Sequence, residues 1–230
     1  GGNGYDFVNY SGLAIGAYVS LGGGGFWQKP ENVTPEDIYV DVEGLIGTPQ
    51  ADILIGTEGD NWFYGLGGND VIDAGYNPFG SPGVHFFGGD GDDTLQGGAG
   101  DDWLYGDAGN DTLRMYSGSD HAFGGAGNDK FEITGDPFID WVDGGEGDDS
   151  FLIWSDGAFG GDVFIGGAGI DTIDLSLFGL PNRSGAVLDL VDPAQETGQL
   201  GGARFDSIEN IAGSQYNDSL RGNALNNVLS

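Results

Sequence analysis

Glycine and aspartate return in this chain on a spacing of nine. Gly88-Gly89-Asp90-Gly91-Asp92-Asp93-Thr94-Leu95-Gln96 is followed directly by Gly97-Gly98-Ala99-Gly100-Asp101-Asp102-Trp103-Leu104-Tyr105, and Gly106 to Arg114 continues in register. Further copies start at Gly1, Gly124, Gly144 and Gly166, looser ones at Gly47, Gly56, Gly65, Gly157, Gly213 and Gly222, and degenerate ones at Met115 and Gly135. Each position has a physical job. Glycines at positions one, two and four tolerate φ > 0, so six residues can reverse the chain and turn their carbonyls toward one point. Positions seven to nine form a short strand whose middle side chain faces inward. The expected core is one column per sheet: Leu54, Phe63, Ile72, Leu95, Leu104, Leu113, Phe131, Val142, Phe151, Phe164 and Ile173.

Composition sharpens this. With 48 glycines, 8 prolines and no Gly-X-Y period in 230 residues, the chain is a turn-rich repeat and not collagen. Thirty-seven acidic residues against six basic ones leave a net charge of −31. Such a body repels itself unless cations screen it, and it is a poor partner for nucleic acid or an anionic membrane surface. Acidity alone would suit a disordered tail, but 14 Phe, 9 Tyr and 5 Trp argue for a packed fold. Cysteine is absent, so neither disulfides nor a thiolate metal site stabilise it. No apolar run reaches the roughly 20 residues that span a bilayer, and the opening Gly1-Gly2-Asn3-Gly4 is that expected of a fragment cut from a longer protein.

Aspartate falls at the sixth position copy after copy, a register that ordinary turn preference does not set but a ladder of ligands requires. The pattern resembles the RTX, or hemolysin-type calcium-binding, family of G-G-x-G-x-D-x-U-x nonapeptide repeats. The resemblance implies an all-β fold, a calcium-bound parallel β-roll: a two-sheet β-solenoid in which two nonapeptides make one coil and Ca²⁺ sits between turns stacked on one side. Ca²⁺ takes six to eight carboxylate and carbonyl oxygens, more than one turn supplies. By that resemblance one edge stacks Asp70, Asp93, Asp111, Asp129, Asp149 and Asp171. The other, poorer in family glycines, offers Asn61, Asp102, Asp120, Asp140 and Asp162, and Asp52 in the looser copy at Gly47 joins the candidates. The turn glycines assigned to the sites are Gly89, Gly91, Gly98, Gly100, Gly109, Gly125, Gly127, Gly145, Gly147, Gly167 and Gly169. About four to seven ions are expected, mainly along the first edge.

Three regions follow. Residues 65–174 form the central roll, interrupted near 74–87, 133–134 and 153–156. Residues 1–64 and 166–230 are flanking units that align with each other: Val42-Glu43-Gly44-Leu45-Ile46-Gly47 matches Ile208-Glu209-Asn210-Ile211-Ala212-Gly213. A period of about 165 residues marks a tandem array. Each unit leaves the repeat for an inserted strand and a loop covering the coil, the first loop carrying Trp27, Pro30 and Pro35. The stretch 74–87 reads as one strand with an extruded loop, which keeps the two sheets alternating.

With that alternation the outward positions divide. One face carries Trp62, Tyr64, Trp103, Tyr105, His121, Phe123 and Trp141, and the other is mostly polar. The aromatic face is either covered by flanking loops or a neighbouring domain, or docks a glycan or protein partner. His85 and His121 have neither metal-ligand spacing nor a serine partner, and no H-E-x-x-H, G-x-S-x-G or P-loop is present, so no catalytic residue is assigned. The expected role is a calcium-binding structural, cell-surface or assembly module of a larger secreted protein. It would leave a Gram-negative cell by type I secretion and fold outside. The alternatives are the repeat region of a secreted protease, lipase or polysaccharide-modifying enzyme, and an adhesin segment.

Overall fold

The computed structural model describes residues 4–21, 41–75, 77–78, 80–154, 161–177, 185–191, 200 and 202–230. Trp27, Pro30 and Pro35 lie outside the described residues. In chain order the strands are β1 (Phe7–Asn9), β2 (Tyr18–Ser20), β3 (Gly44–Ile46), β4 (Ile53–Ile55), β5 (Trp62–Gly67), β6 (Val71–Asp73), β7 (His85–Asp90), β8 (Thr94–Gln96), β9 (Trp103–Ala108) and β10 (Thr112–Met115). They continue as β11 (His121–Ala126), β12 (Lys130–Ile133), β13 (Trp141–Glu146), β14 (Ser150–Ile153), β15 (Val163–Ala168), β16 (Thr172–Asp174), β17 (Val187–Asp189), β18 (Arg204–Asp206), β19 (Asn210–Ala212) and β20 (Ser219–Arg221).

The odd strands from β1 to β15, closed by β18, make a nine-stranded sheet 1; the even strands from β2 to β16, closed by β19, make a nine-stranded sheet 2. β17 and β20 form a small third sheet. Neighbours in each large sheet are parallel and two strands apart in sequence, as in Leu95↔Leu113↔Phe131, except for the last pairs, β15 with β18 and β16 with β19, so the chain winds as a flat two-sided coil. This is the expected two-sheet parallel β-solenoid. β7 takes its place between β5 and β9, so the insertion at 74–84 leaves the alternation of sheets intact.

All eleven expected core residues are fully buried. Sheet 1 adds Leu45, Phe86 and Ala122 to its column. Sheet 2 has a second inward column that a strand of three residues does not suggest: Ala74, Met115, Ile133, Ile153 and Leu175, one position beyond each strand's outward residue. Alternation points that position inward in both sheets. In sheet 1 it is held by Gly65, Gly88, Gly106, Gly124, Gly144 and Gly166, the leading glycines of the next turn.

Candidate metal centre

The turns that lead from sheet 1 to sheet 2 make the first edge. Asp70, Asp93, Asp111, Asp129, Asp149 and Asp171 stack there, each at most 2% exposed. Oδ1 of each accepts the backbone N–H of the preceding aspartate on that edge: Asp52 N–H donates to Asp70 (2.7 Å), Asp70 to Asp93 (2.7 Å), Asp93 to Asp111 (2.7 Å), Asp111 to Asp129 (2.7 Å), Asp129 to Asp149 (2.8 Å) and Asp149 to Asp171 (2.8 Å). The other oxygen, Oδ2, is buried in all six and meets no hydrogen-bond donor. A repeated buried oxygen of this kind costs free energy unless something else meets it.

The surroundings supply a matching second oxygen. A Cβ on Gly65 would collide with both Asp70 Oδ2 and the carbonyl of Gly88, and Gly88, Gly106, Gly124 and Gly144 repeat the arrangement with the aspartate of their own turn and the leading glycine of the next. These glycines have no positive φ; they are glycine because the space beside them belongs to oxygen. Positions two and four behave as the sequence reading expects. Gly89, Gly91, Gly109, Gly125, Gly127, Gly145, Gly147, Gly167 and Gly169 all have φ between 105° and 148°. They also sit against carbonyls of the preceding coil, so the turns stack carbonyl over carbonyl. Leu66 (φ 83°) and Asp107 (φ 74°) hold position two without being glycine.

Among the described residues no three acidic or imidazole side chains converge on one point. An ion held on this edge would draw on carboxylates of successive turns together with the carbonyls beside them. All the donors are hard oxygens, and the set fits Ca²⁺.

Without a cation, burial favours the protonated form of these carboxyls. Burial, reinforced by neighbouring aspartates, pushes Asp70 up to about 8 and Asp111 and Asp149 up to about 7, against the ladder N–H bonds that lower them. Burial likewise raises Asp93, Asp129 and Asp171 to about 6. A bound dication would reverse this by favouring the charged form.

The second edge, from sheet 2 back to sheet 1, runs the same amide ladder: Val84 N–H to Asp102 Oδ1, Asp102 to Asp120, Asp120 to Asp140 and Asp140 to Asp162, at 2.9–3.0 Å. Burial first and like charges second raise Asp120 to about 9 and Asp140 to about 8. Its inward position is different. Where the first edge keeps glycine, this edge puts Met115, Ile133 and Ile153 into the core.

Four of the residues assigned from sequence have different surroundings. Gly98 and Gly100 do not adopt positive φ, and Gly98 N–H donates to Asp102 Oδ2 (2.7 Å), so that carboxylate closes its own turn. Asp52 is engaged in the same way: Oδ2 accepts from Thr48 N–H (2.5 Å), and Oδ1 from the Thr48 hydroxyl and Ala17 N–H. A feature the sequence reading missed is a second, exposed ladder at position five of the first edge. Asn69, Asp92, Asn110, Asn128 and Asp148 each accept the N–H of the position-five residue one coil on. The recurrence of Asn or Asp just before the sixth-position Asp was its signal.

On the outer face of sheet 1 the aromatic residues form two stacks. Trp62 lies on His85 (3.9 Å between ring centroids) and Trp103 on His121 (4.0 Å), while Tyr64, Phe87, Tyr105 and Phe123 follow one another at 4.7–5.0 Å. The interplanar angles of these pairs do not exceed 16°, so each ring covers its neighbour's face and turns its edge outward. His85 and His121, to which the sequence assigns no catalytic or metal role, pack between tryptophans. Trp141 is in register with His121 and 40% exposed.

A parallel two-sheet coil whose glycine turns stack buried aspartates with one oxygen unmatched is a calcium-binding β-roll. The family model for the RTX calcium-binding nonapeptide repeat matches residues 46–75, 85–114, 116–132, 132–152, 156–175 and 205–230, more than half of the chain. The chain belongs to this family. A search of curated proteins gives no match. The RTX repeats imply calcium binding, and such rolls are typically not catalytic themselves and occur in proteins that are generally secreted. No helix among the described residues is long and apolar enough to cross a membrane.

Proposed function

We propose that this chain is a structural, calcium-folded module of a larger secreted protein, exported unfolded from a Gram-negative cell by type I secretion and folded outside by the ion. The observation that carries this reading is the row of six buried, donor-less aspartate oxygens on one edge. Left ionised and unpaired they oppose folding; bridged by Ca²⁺ they hold successive coils together, and binding free energy becomes folding free energy. One ion between each pair of successive turns gives about five along this edge. The flanking units 1–64 and 166–230 are two copies of one element of a tandem array, in keeping with a surface or assembly role. Docking of a glycan has less support, because the stacked rings offer edges and not faces. Calcium titration followed by circular dichroism and hydrodynamic size, with Mg²⁺ as control, tests the proposal. Cooperative compaction with Ca²⁺ alone is the expected result, and an equally compact, β-rich chain in excess chelator would overturn it.

A further inference from the structure

The chain contains one backbone device twice. Near its start Asp6 N–H donates to Glu43 Oε2 (2.9 Å), and the Asp6 carbonyl accepts from Glu43 and Gly44 N–H, which sets β1 beside β3. About 165 residues later, Asp171 N–H donates to Glu209 Oε2 (2.9 Å), its carbonyl accepts from Glu209 and Asn210, and β16 lies beside β19. The rest of the device repeats as well. Ala17 N–H meets Asp52 Oδ1 with β2 beside β4, and Ala186 N–H meets Asp218 Oδ1 with β17 beside β20. Two residues before each glutamate, Asp41 (φ 52°) and Ser207 (φ 54°) make the same left-handed kink.

One difference separates the copies. β16 has a second neighbour, β14, in the register Ser150↔Thr172, with Thr172 N–H donating to the Asp149 carbonyl (2.9 Å). β1 is the outermost strand of sheet 1. Gly169, in the turn before β16, lies against the carbonyl of Gly147 so closely that no side chain fits, whereas Gly4, its counterpart with φ 122°, has nothing among the described residues within 4 Å. Gly4 thus keeps the left-handed conformation in which its counterpart Gly169 packs against the turn of the preceding coil. Any sheet edge accepts a strand; this one is also shaped for the turn that precedes the strand.

We propose that β1 and the turn leading into it are the seat of a second copy of this roll, whose last coil docks there as β14 and its turn dock on β16. The inference rests on the tandem-unit reading above and adds the geometry of the junction. Sheet 2 of one roll continues as sheet 1 of the next, and the metal edge of the first runs on as the second edge of its successor, because Asp171 lies on the first edge while Asp6 lies on the second. Successive rolls therefore carry their calcium edges on alternate sides, and β17 with β20 begins the new sheet.

The test is a fused chain in which residues 1–165 precede Gly1, so that Ile165 meets Gly1 as it meets Gly166 in the native sequence. With saturating calcium, amide exchange at Phe7 of the second copy is expected to slow on the order of a hundredfold relative to the single chain, with Thr172 as the protected reference. Fast exchange at Phe7 beside a protected Thr172 would overturn the docking seat and leave the tandem-unit reading standing. Fast exchange at both would overturn the two together. One residue inserted at the junction moves every side chain to the wrong face and should abolish the protection; protection that survives it would show an unspecific strand contact and overturn the seat.

Discussion

The two edges of the roll carry an aspartate at the sixth position of nearly every turn, and on both its Oδ1 receives a backbone N–H from the neighbouring coil. They part at the residue that opens the turn. On the first edge it is glycine, and the space without a side chain is bounded by a carboxylate oxygen and the next coil's carbonyl. On the second it becomes Met115, Ile133 and Ile153, each at most 1% exposed, and hydrocarbon fills the corresponding place. One edge presents carboxylate and carbonyl oxygens suited to a cation, and the other buries apolar surface at three of its turns while Gly97 keeps the glycine at a fourth. Glycine alone does not make a site, because Gly47 and Gly97 stand beside Asp52 and Asp102, whose Oδ2 atoms already accept N–H groups; an aspartate is a candidate ligand where its glycine is kept and its Oδ2 meets no donor.

Titrating the ladders should move the whole molecule most. Burial raises the aspartates of the two ladders, Asp70 to Asp171 on the first edge and Asp102 to Asp162 on the second, to between about 6 and about 9, above the 3.8 of an unperturbed aspartate. The folded chain then binds more protons than the unfolded one across that window, so metal-free stability falls as pH rises through it. Circular dichroism in chelator should report more β-structure at about pH 5 than at about pH 8, and calcium should restore most at the higher pH, where protons no longer compete for the carboxylates. A chelator signal flat with pH would place the ladders' protons elsewhere.

Substitutions at the opening residue then separate the edges. Gly124→Ala puts a methyl into Asp129 Oδ2 and the Gly144 carbonyl, neither of which can move without its coil. A loss of about 3 kcal/mol or more is expected from thermal unfolding in calcium, together with a lost ion. Ile133→Ala on the opposite edge should cost about 2–4 kcal/mol as a cavity, yet leave the number of ions bound at saturation unchanged by calorimetric titration. Asp111→Asn should raise the calcium midpoint of folding roughly tenfold, about 1.4 kcal/mol. The same change at Asp102, whose Oδ2 already accepts Gly98 N–H, should leave it within about twofold. Smallest, Leu66→Gly relieves a left-handed residue on the first edge (φ 83°) and should stabilise the roll by about 1 kcal/mol, read as a higher melting temperature.

The repeat of nine determined the inward column from Leu54 to Ile173 and the contrast between well-formed and degenerate turns, and the family it resembles implied the two-sheet solenoid and the pairing of turns two copies apart. The repeat could do so because the column and the turns are local to the nonapeptide and copied along the chain. The second inward column in sheet 2 was not legible: Met115 reads as the start of a degenerate copy and Ile133 as part of a small insertion until the strand is seen to extend by one residue. Nor could sequence show that Asp52 and Asp102 have their Oδ2 taken by nearby N–H groups, or that His85 and His121 complete a stack of rings. Those outcomes depend on which atoms one coil places against the next. Only the tertiary structure fixes that, because a hydrogen bond or a ring contact is decided over a few ångströms across the stack and not along the nine residues that repeat.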